Sequence, residues 1–342
     1  MLFVVWLPLV FQLLIPLSLL AWIAVGRPSS ISAWVVRSVL TACYLVAIGV
    51  GGLWLILPWY TPLFYGVLLL FAIVYSFRRR VRTMPISPPT RRSLADLILS
   101  AIVAVFFAGL SQYMISGWRT PPDAVELSAP LRNGTYLVVS GGGNELINTH
   151  FKTLEGERFR PWRGQSYGVD IEKLNALGLR ARGLLPKRLT AYEIFGEPLY
   201  APCAGEVVIA RDGVEEMIPP EMDRQNLTGN HVILKCGHAW IILGHLQKGS
   251  VAVRRGQRVT EGQPLGRVGN TGNTGEPHLH IHAQRPGTEK APLSGEPLPI
   301  RFDQRYPVRN DRIKVLREKH ARAGSAMGHS DTVAGLSTGE DP

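Results

Sequence analysis

A chain of 342 residues, 46% of them hydrophobic and with a formal net charge of +11, is long enough for two domains of unlike character. Residues 1–116 hold eight Arg, no Lys and one acidic residue, Asp96, for a net +7, while the remainder nets only +4. The densest basic cluster (Arg78, Arg79, Arg80, Arg82, Arg91 and Arg92) lies between two apolar runs, as in a cytoplasmic loop of a membrane protein. It does not look like a nucleic-acid-binding face, so nucleic acid is excluded as a partner.

Residues 1–116 read as an α-helical membrane bundle, a transmembrane anchor region with spans at about 2–25, 39–57, 60–77 and 94–115. The segment Pro58-Trp59-Tyr60-Thr61-Pro62 divides the uncharged stretch from Ser38 to Phe77, and its aromatics suit a membrane interface. Arg27 and Arg37 assign the first loop to the cytoplasm, and the Arg cluster assigns the loop 78–92 there too. The fourth span then runs outward. Everything after Trp118 is expected on the periplasmic or exterior side of a multi-pass protein of the cytoplasmic (inner) membrane, with the N-terminus outside as well. A cleaved signal peptide at 1–25 is the competing reading, disfavoured by the missing basic start and small-residue cleavage pattern. The spans carry no charge except Asp96 near an end, which favours an anchor over a transporter.

Residues 117–130 read as a Pro-containing linker, 131–300 as a second, folded domain, and 301–342 as a C-terminal helix with a disordered tail. In the domain, short apolar runs alternate with Gly, Pro and Asn, the pattern of a mainly β fold. Tyr136–Ser140, Glu206–Ala210, His231–Lys235, Trp240–Leu243 and His278–His282 are the expected strands, with helices expected at 171–177 and 311–323. Cys43 lies in a span. If 203–210 and 230–237 pair as an antiparallel hairpin, Cys203 and Cys236 fall near one another, as a disulfide or as two buried thiols.

His278-Leu279-His280-Ile281-His282 is the most informative segment. On a strand its three imidazoles share one face, which is costly as core packing and reasonable as a metal or proton-transfer site. The Gly-rich stretch 269–275 lacks the strand-to-helix context and the Lys of a phosphate cradle, so it reads as a tight turn setting His278. Arg158-Phe-Arg-Pro-Trp-Arg163 is either a substrate-lining segment or an exposed loop. His231 and His238 have no assignable role, and His320 and His329 fall in the tail.

These residues also carry a family resemblance. Phe195-Gly-Glu-Pro-Leu-Tyr-Ala-Pro-Cys-Ala-Gly-Glu-Val207, Gly229-Asn230-His-Val-Ile-Leu234 and Leu243-Gly244-His245-Leu246 come first. Gly256-Gln-Arg-Val-Thr-Glu-Gly262, Leu265-Gly-Arg-Val-Gly-Asn-Thr-Gly272 and Gly275-Glu-Pro-His-Leu-His280 follow. In order and spacing the series resembles the lysostaphin-like (LytM-type) zinc endopeptidases. The resemblance implies a β-rich fold with a central antiparallel sheet, a groove holding one zinc ion, and peptidoglycan peptides as substrate. It implies that His280 and Asp170 bind zinc, and that His245 and His278 act on the water and the transition state.

The family's His-x-Gly-x-Asp motif stands here as Ser166-Tyr-Gly-Val-Asp170, so a hydroxyl occupies the place of a ligand. A Ser hydroxyl is a poor zinc donor. His150, 16 residues upstream, is the expected replacement if 148–151 and 166–170 are neighbouring strands, and His282 is the alternative third ligand. A metal-free module that binds the wall or regulates hydrolases is the reading from another functional class. Oligomeric state is left open by the sequence.

Overall fold

The computed structural model describes residues 2–84, 91–288 and 291–315. Four of its helices are long and apolar enough to cross a membrane, over Trp6–Val25, Ile31–Gly51, Thr61–Val81 and Leu94–Ser116. Their outer surfaces expose large apolar side chains such as Leu63, Val105 and Phe106, which suits helices surrounded by hydrocarbon.

The first helix passes through a π-turn at Val10–Leu14, just before Pro16. Proline has no N–H to give to the carbonyl four residues earlier. That carbonyl, on Gln12, accepts instead from the Tyr65 hydroxyl at 2.6 Å, and the neighbouring Phe11 carbonyl accepts from Tyr44 at 2.6 Å. Two side chains from other spans thereby repair the defect and fasten three helices together.

The second span begins earlier than the expected 39–57. Ser30 caps it, its hydroxyl accepting from the Ala33 N–H at 3.1 Å, and the helix ends at Gly51. Arg37 is consequently inside the helix and not in the first loop, with its guanidinium 4.3 Å from the Trp22 ring centroid. A long stem lets a charge near a helix end reach outward in this way.

The eight strands that matter for the site are β1 (Gly134–Ser140), β2 (Val169–Leu174), β3 (Gly205–Arg211), β4 (Asn230–Cys236), β5 (Ala239–Leu246), β6 (Arg258–Val259), β7 (Leu279–Gln284) and β8 (Arg312–Val315). They form an antiparallel sheet in the order β8-β1-β2-β7-β5-β4-β3-β6, and Pro297–Leu298 pairs with the end of β7. One face packs into a single core that includes Val169, Ile171, Leu243, Leu279 and Ile281. A Cys203–Cys236 disulfide is present at the β3–β4 end, which resolves the two sequence alternatives.

Two expected helices are corrected. Residues 171–177 begin inside β2, where Val169 and Ile171 enter the core and Asp170 and Glu172 take the opposite face. Pairing with strands on both sides outweighs the weak helical preference of Glu-Lys-Leu-Asn. The other, 311–323, opens as β8, paired with Gly134–Leu137, and its remainder lies outside the described residues, as do the tail histidines. Within the expected linker, Val125–Leu127 forms a short strand parallel to Ile300–Phe302.

The β-rich part is docked on one end of the helices. Arg309 Nη1 donates to the Gly51 carbonyl at 2.9 Å, and Asn310 Nδ2 donates to the carbonyls of Val50 and Gly52, each at 3.0 Å. These are carbonyls that a helix C-terminus leaves without intrahelical partners. Arg180 Nη1 reaches the Leu55 carbonyl at 3.0 Å, and the Arg312 guanidinium lies 3.3 Å from the Trp59 ring centroid. Asn144 Nδ2 bonds the Tyr113 carbonyl at 2.8 Å, near the end of the fourth span. The third span runs from this docked end, at Thr61, away to Arg78, Arg79 and Arg80.

Candidate metal centre and cleft

Register puts the first two site residues together. Asp170 on β2 is the Cα partner of His280 on β7, and His280 is at the same time the partner of Gly244 on β5. Directly opposed residues share a face, so Asp170 and His280 project from the same side of the sheet. His280 Nδ1 lies 2.8 Å from Asp170 Oδ1.

His150 arrives from outside the sheet. The segment 148–151 is not a strand; it turns into a 3-10 helix at Phe151–Thr153, and a second 3-10 segment follows over Glu157–Gln165. Asn148 holds the turn, its side-chain oxygen accepting from the His150 N–H at 3.0 Å. His150 Nε2 then lies 2.8 Å from Asp170 Oδ2, so the two carboxylate oxygens are shared between two imidazoles. Ligand atoms of His150, Asp170 and His280 all fall within 4.8 Å of one another. Two imidazole nitrogens and a carboxylate oxygen are donors of the kind that three-ligand catalytic zinc sites use, so the group could hold a metal ion.

Gly168 is needed for this approach. A Cβ there would stand 2.9 Å from His280 Cε1 and 3.1 Å from His150 Cδ2. Ser166, where the resemblance expects a ligand, is fully buried away from the cluster. Its hydroxyl donates to the Arg163 carbonyl at 2.6 Å and pairs with Thr153 Oγ1 at 2.9 Å, fastening the segment that follows His150. His282 sits behind His280 and is not part of the converging group: its Nδ1 faces His280 Nε2 at 2.9 Å.

His245 reaches the cleft through a break in alternation. Leu243 and Leu246 both enter the core, so strict period-two geometry would send His245 there as well. Instead the β4–β5 register shifts between Asn230 and Val232, and His245 takes φ +61°, a left-handed conformation rare outside glycine. The irregularity turns the ring toward His278 and His280, with centroid distances of 4.8 and 5.8 Å. Strained backbone of this kind persists where surroundings over-determine it, commonly at functional sites.

Both cleft histidines are fixed by carbonyl oxygens. His245 Nδ1 is 2.8 Å from the Thr271 carbonyl, and His278 Nδ1 is 2.9 Å from the Glu276 carbonyl. A carbonyl only accepts, so each ring carries its proton on Nδ1 and has its lone pair on Nε2. The turn 269–275 supplies Thr271 and also Thr274, whose hydroxyl lies 3.1 Å from His278 Nδ1. His278 Nε2 stands 3.6 Å from Asp170 Oδ1.

Burial and charge act on the centre in opposite senses. Burial alone would raise the pKa of Asp170, but the charges of His150 and His278 and hydrogen bonds from His150 and His280 hold it well below the usual carboxylate range. Burial lowers His245 well below an ordinary histidine, with His278 and His280 adding to the effect, and burial lowers His280 too. These directions favour an ionised Asp170 beside uncharged His245 and His280, and a carboxylate and a neutral imidazole are the states in which such groups ligate a metal.

The cleft has a volume of about 290 Å³, and its walls include Lys152, Trp162, Met222, Leu227 and Leu293 besides the five site residues. Trp162 therefore makes the Arg158–Arg163 segment part of the lining, while Arg158 and Arg160 are exposed. His231 is occupied with the Gly229 carbonyl at 2.9 Å and does not line the cleft.

Residues 190–292 match the sequence model described as Peptidase family M23. The chain carries an M23 peptidase domain. The M23 match covers His245, His278 and His280, while His150 and Asp170 lie before it. Over 85 residues the chain is 32% identical to the peptidoglycan DD-endopeptidase ShyA of Vibrio cholerae, covering 25% of this chain and 17% of that protein. Over 150 residues it is 26% identical to the cell division protein DipM of Caulobacter vibrioides, covering 43% of this chain and 22% of that protein. The chain thus spans about a fifth of the length of these relatives. Among solved structures, the catalytic domain of the antimicrobial peptidase lysostaphin from Staphylococcus simulans is 22% identical with a TM-score of 0.24, over 37% of this chain and 71% of that one.

The residues that sequence reading passed over are those whose role depends on contact. Thr271 and Asn148 carry no chemical signature of their own, whereas Gly168 stands at the Gly of the motif ending in Asp170.

Proposed function

We propose that this M23 chain is a membrane-anchored zinc endopeptidase that hydrolyses peptide bonds of peptidoglycan, in cross-links or stem peptides. The observation that carries the reading is the convergence of His150, Asp170 and His280 at the floor of a cleft also lined by His245 and His278. In this reading residues 1–116 are the anchor in the cytoplasmic membrane, 117–130 the connection and 131–300 the catalytic domain. The Arg cluster is on the cytoplasmic side and the cleft outside it, in accord with the docking of the β-rich part at the opposite end of the spans.

One zinc ion would be held by His150, Asp170 and His280, whose ligand atoms converge. When bound, zinc supplies Lewis acidity, making water acidic enough to act near neutral pH and polarising the scissile carbonyl. The chain's own residues do the rest. His245 and His278, each with a bare Nε2, both begin as proton acceptors, and the ring that takes the water's proton becomes a donor able to steady the developing oxyanion. Trp162, Met222 and Leu293 offer apolar surface to a peptide, with Lys152 at the exposed edge for a carboxylate. Peptidoglycan as substrate is supported by the local likeness to ShyA.

The test uses the full chain in detergent. Zinc per chain is measured, and isolated peptidoglycan is assayed for released muropeptides, for the parent and for His150→Ala. The reading expects one zinc and soluble fragments from the parent, and neither from the variant. A parent that binds no zinc and releases nothing overturns it in favour of a wall-binding or hydrolase-regulating module. Undiminished zinc in His150→Ala rejects the ligand set.

A further inference from the structure

Arg180 is a buried guanidinium outside the cleft, only 4% exposed, on the turn that follows β2. A buried charge is costly unless it is paired and its donors are satisfied. Arg180 meets that demand with groups from three distant parts of the chain. It grips the Glu276 carboxylate as a fork, with Nε 3.1 Å from Oε1 and Nη2 2.7 Å from Oε2. Nη2 also donates to the Leu184 carbonyl at 3.1 Å, and Nη1 donates to the Leu55 carbonyl, in the segment between the second and third spans, at 3.0 Å. A second contact holds the same turn against the same segment. Gly178 has φ +74°, and a Cβ on it would stand 2.7 Å from Trp59 Cδ1.

Glu276 carries this hold into the cleft. Its carbonyl accepts from Thr274 Oγ1 at 2.6 Å and is the oxygen that holds His278 Nδ1 at 2.9 Å. Carboxylate and carbonyl belong to one residue, so a fork on the first restricts rotation of the peptide that bears the second. We propose that Arg180 and Glu276 are positioning residues that set the orientation of the His278 ring and tie it to the segment between the second and third spans. Arginine suits this task. Two of its nitrogens grip a carboxylate while the third reaches the Leu55 carbonyl, whereas lysine has a single nitrogen. Neither side chain belongs to the converging ligand group, so their effect falls on the reaction and not on the metal. The inference rests on the hydrolytic reading proposed above, in which His278 acts on the reacting water. Displacing a catalytic group by about 1 Å can cost on the order of 100-fold in rate.

The test uses the full chain in detergent, loaded with zinc. It measures the maximal rate of muropeptide release, the peptidoglycan concentration giving half that rate, and zinc affinity by chelator competition. Glu276→Ala keeps the carbonyl and removes only the gripped side chain, while Glu172, with Oε2 3.7 Å from Arg180 Nε, remains to balance the guanidinium. Its maximal rate is expected to fall on the order of 10–100-fold, with half-saturation and zinc affinity close to the parent. Glu276→Gln keeps an oxygen for the fork and recovers part of the loss. Arg180→Lys is slowed like Glu276→Ala, and the double variant is no slower than the worse single one, because the two residues act as a unit. Gly178→Ala pushes the turn away from Trp59 and slows the reaction with every cleft residue intact. A parental rate in Glu276→Ala overturns the inference, as do additive losses in the double variant or zinc affinity falling in step with rate. A parental rate in Gly178→Ala overturns the tie to the spans. If Arg180→Lys does not fold, the two Glu276 variants decide, and a Gln variant no faster than the Ala one refutes the inference. A zinc-loaded parent that releases no muropeptides brings down the proposed function and this inference together, whereas an active parent with unaffected variants sinks this inference alone.

Discussion

Asp170 and His280 are register partners on adjacent strands, and their side chains meet at 2.8 Å from the same face of the sheet. Their separation is set by the backbone ladder and cannot drift without breaking it. His150 is the third member and stands on a turn, so a ligand supplied from this position can move along the sequence while the sheet-borne pair stays fixed. That is the physical sense in which a histidine 16 residues upstream of Ser166 can do the work of a ligand at that position.

Ser166 is expected to matter for stability and not for metal. Its hydroxyl is buried between the Arg163 carbonyl and Thr153 Oγ1. Ser166→Ala should cost about 1 kcal/mol in denaturant unfolding, the net worth of a buried hydrogen bond, while chelator competition returns the parental zinc affinity. An affinity loss of about tenfold would mean that the hydroxyl contributes to the metal centre after all.

His245 should separate chemistry from binding. His245→Ala is expected to keep its zinc and to lose on the order of 10²–10⁴ in kcat on isolated peptidoglycan. His245→Asn tolerates the φ of +61° better than Ala, and should melt closer to the parent while remaining equally inactive. Zinc lost in step with activity in both variants would assign the residue to the metal and not to the proton.

Docking on the helices should be measurable at the interface itself. Asn310 caps the Val50 and Gly52 carbonyls and Arg309 bonds the carbonyls of Gly51 and Leu146. Asn310→Ala should cost about 1 kcal/mol and Arg309→Ala about 1.5–3 kcal/mol, since the latter removes charged hydrogen bonds. Amide exchange in residues 49–60 is expected to accelerate in both. Exchange unchanged from the parent would show that these bonds do not secure the junction.

Acid should destabilise the metal-free protein. Burial is the largest cause lowering His231, His245, His280 and His282 below the ordinary value of 6.5. As pH falls through 6.5 the unfolded chain takes up protons that the folded one refuses, so stability rises with pH in that window and is fully present above it. Asp170, held well below 3.8, adds its own loss only beneath that value. The unfolding midpoint of the metal-stripped chain should drop between about pH 7 and pH 5, and a midpoint that rises on acidification would contradict these directions.

Much of the architecture was legible from the chain alone. Runs of uncharged apolar residues dictate membrane-length helices because hydrocarbon tolerates nothing else, and alternation in His278–His282 dictates a strand with its imidazoles on one side. Short segments were another matter. Residues 171–174 have no strong preference of their own, and only pairing with β1 and β7 made them a strand. Likewise Ser30 moved the second span by capping it early, a local bond that hydropathy does not register.

For the centre, the sequence determined which donors exist and that one expected donor is missing. Tertiary structure alone decided how they are used. Register joined Asp170 to His280, a turn held by Asn148 delivered His150, a bulge rotated His245 out of the core, and burial placed His282 behind His280 instead of among the converging donors. Each is a contact between residues distant in sequence, and a one-residue shift in pairing would send the same side chains to the other face.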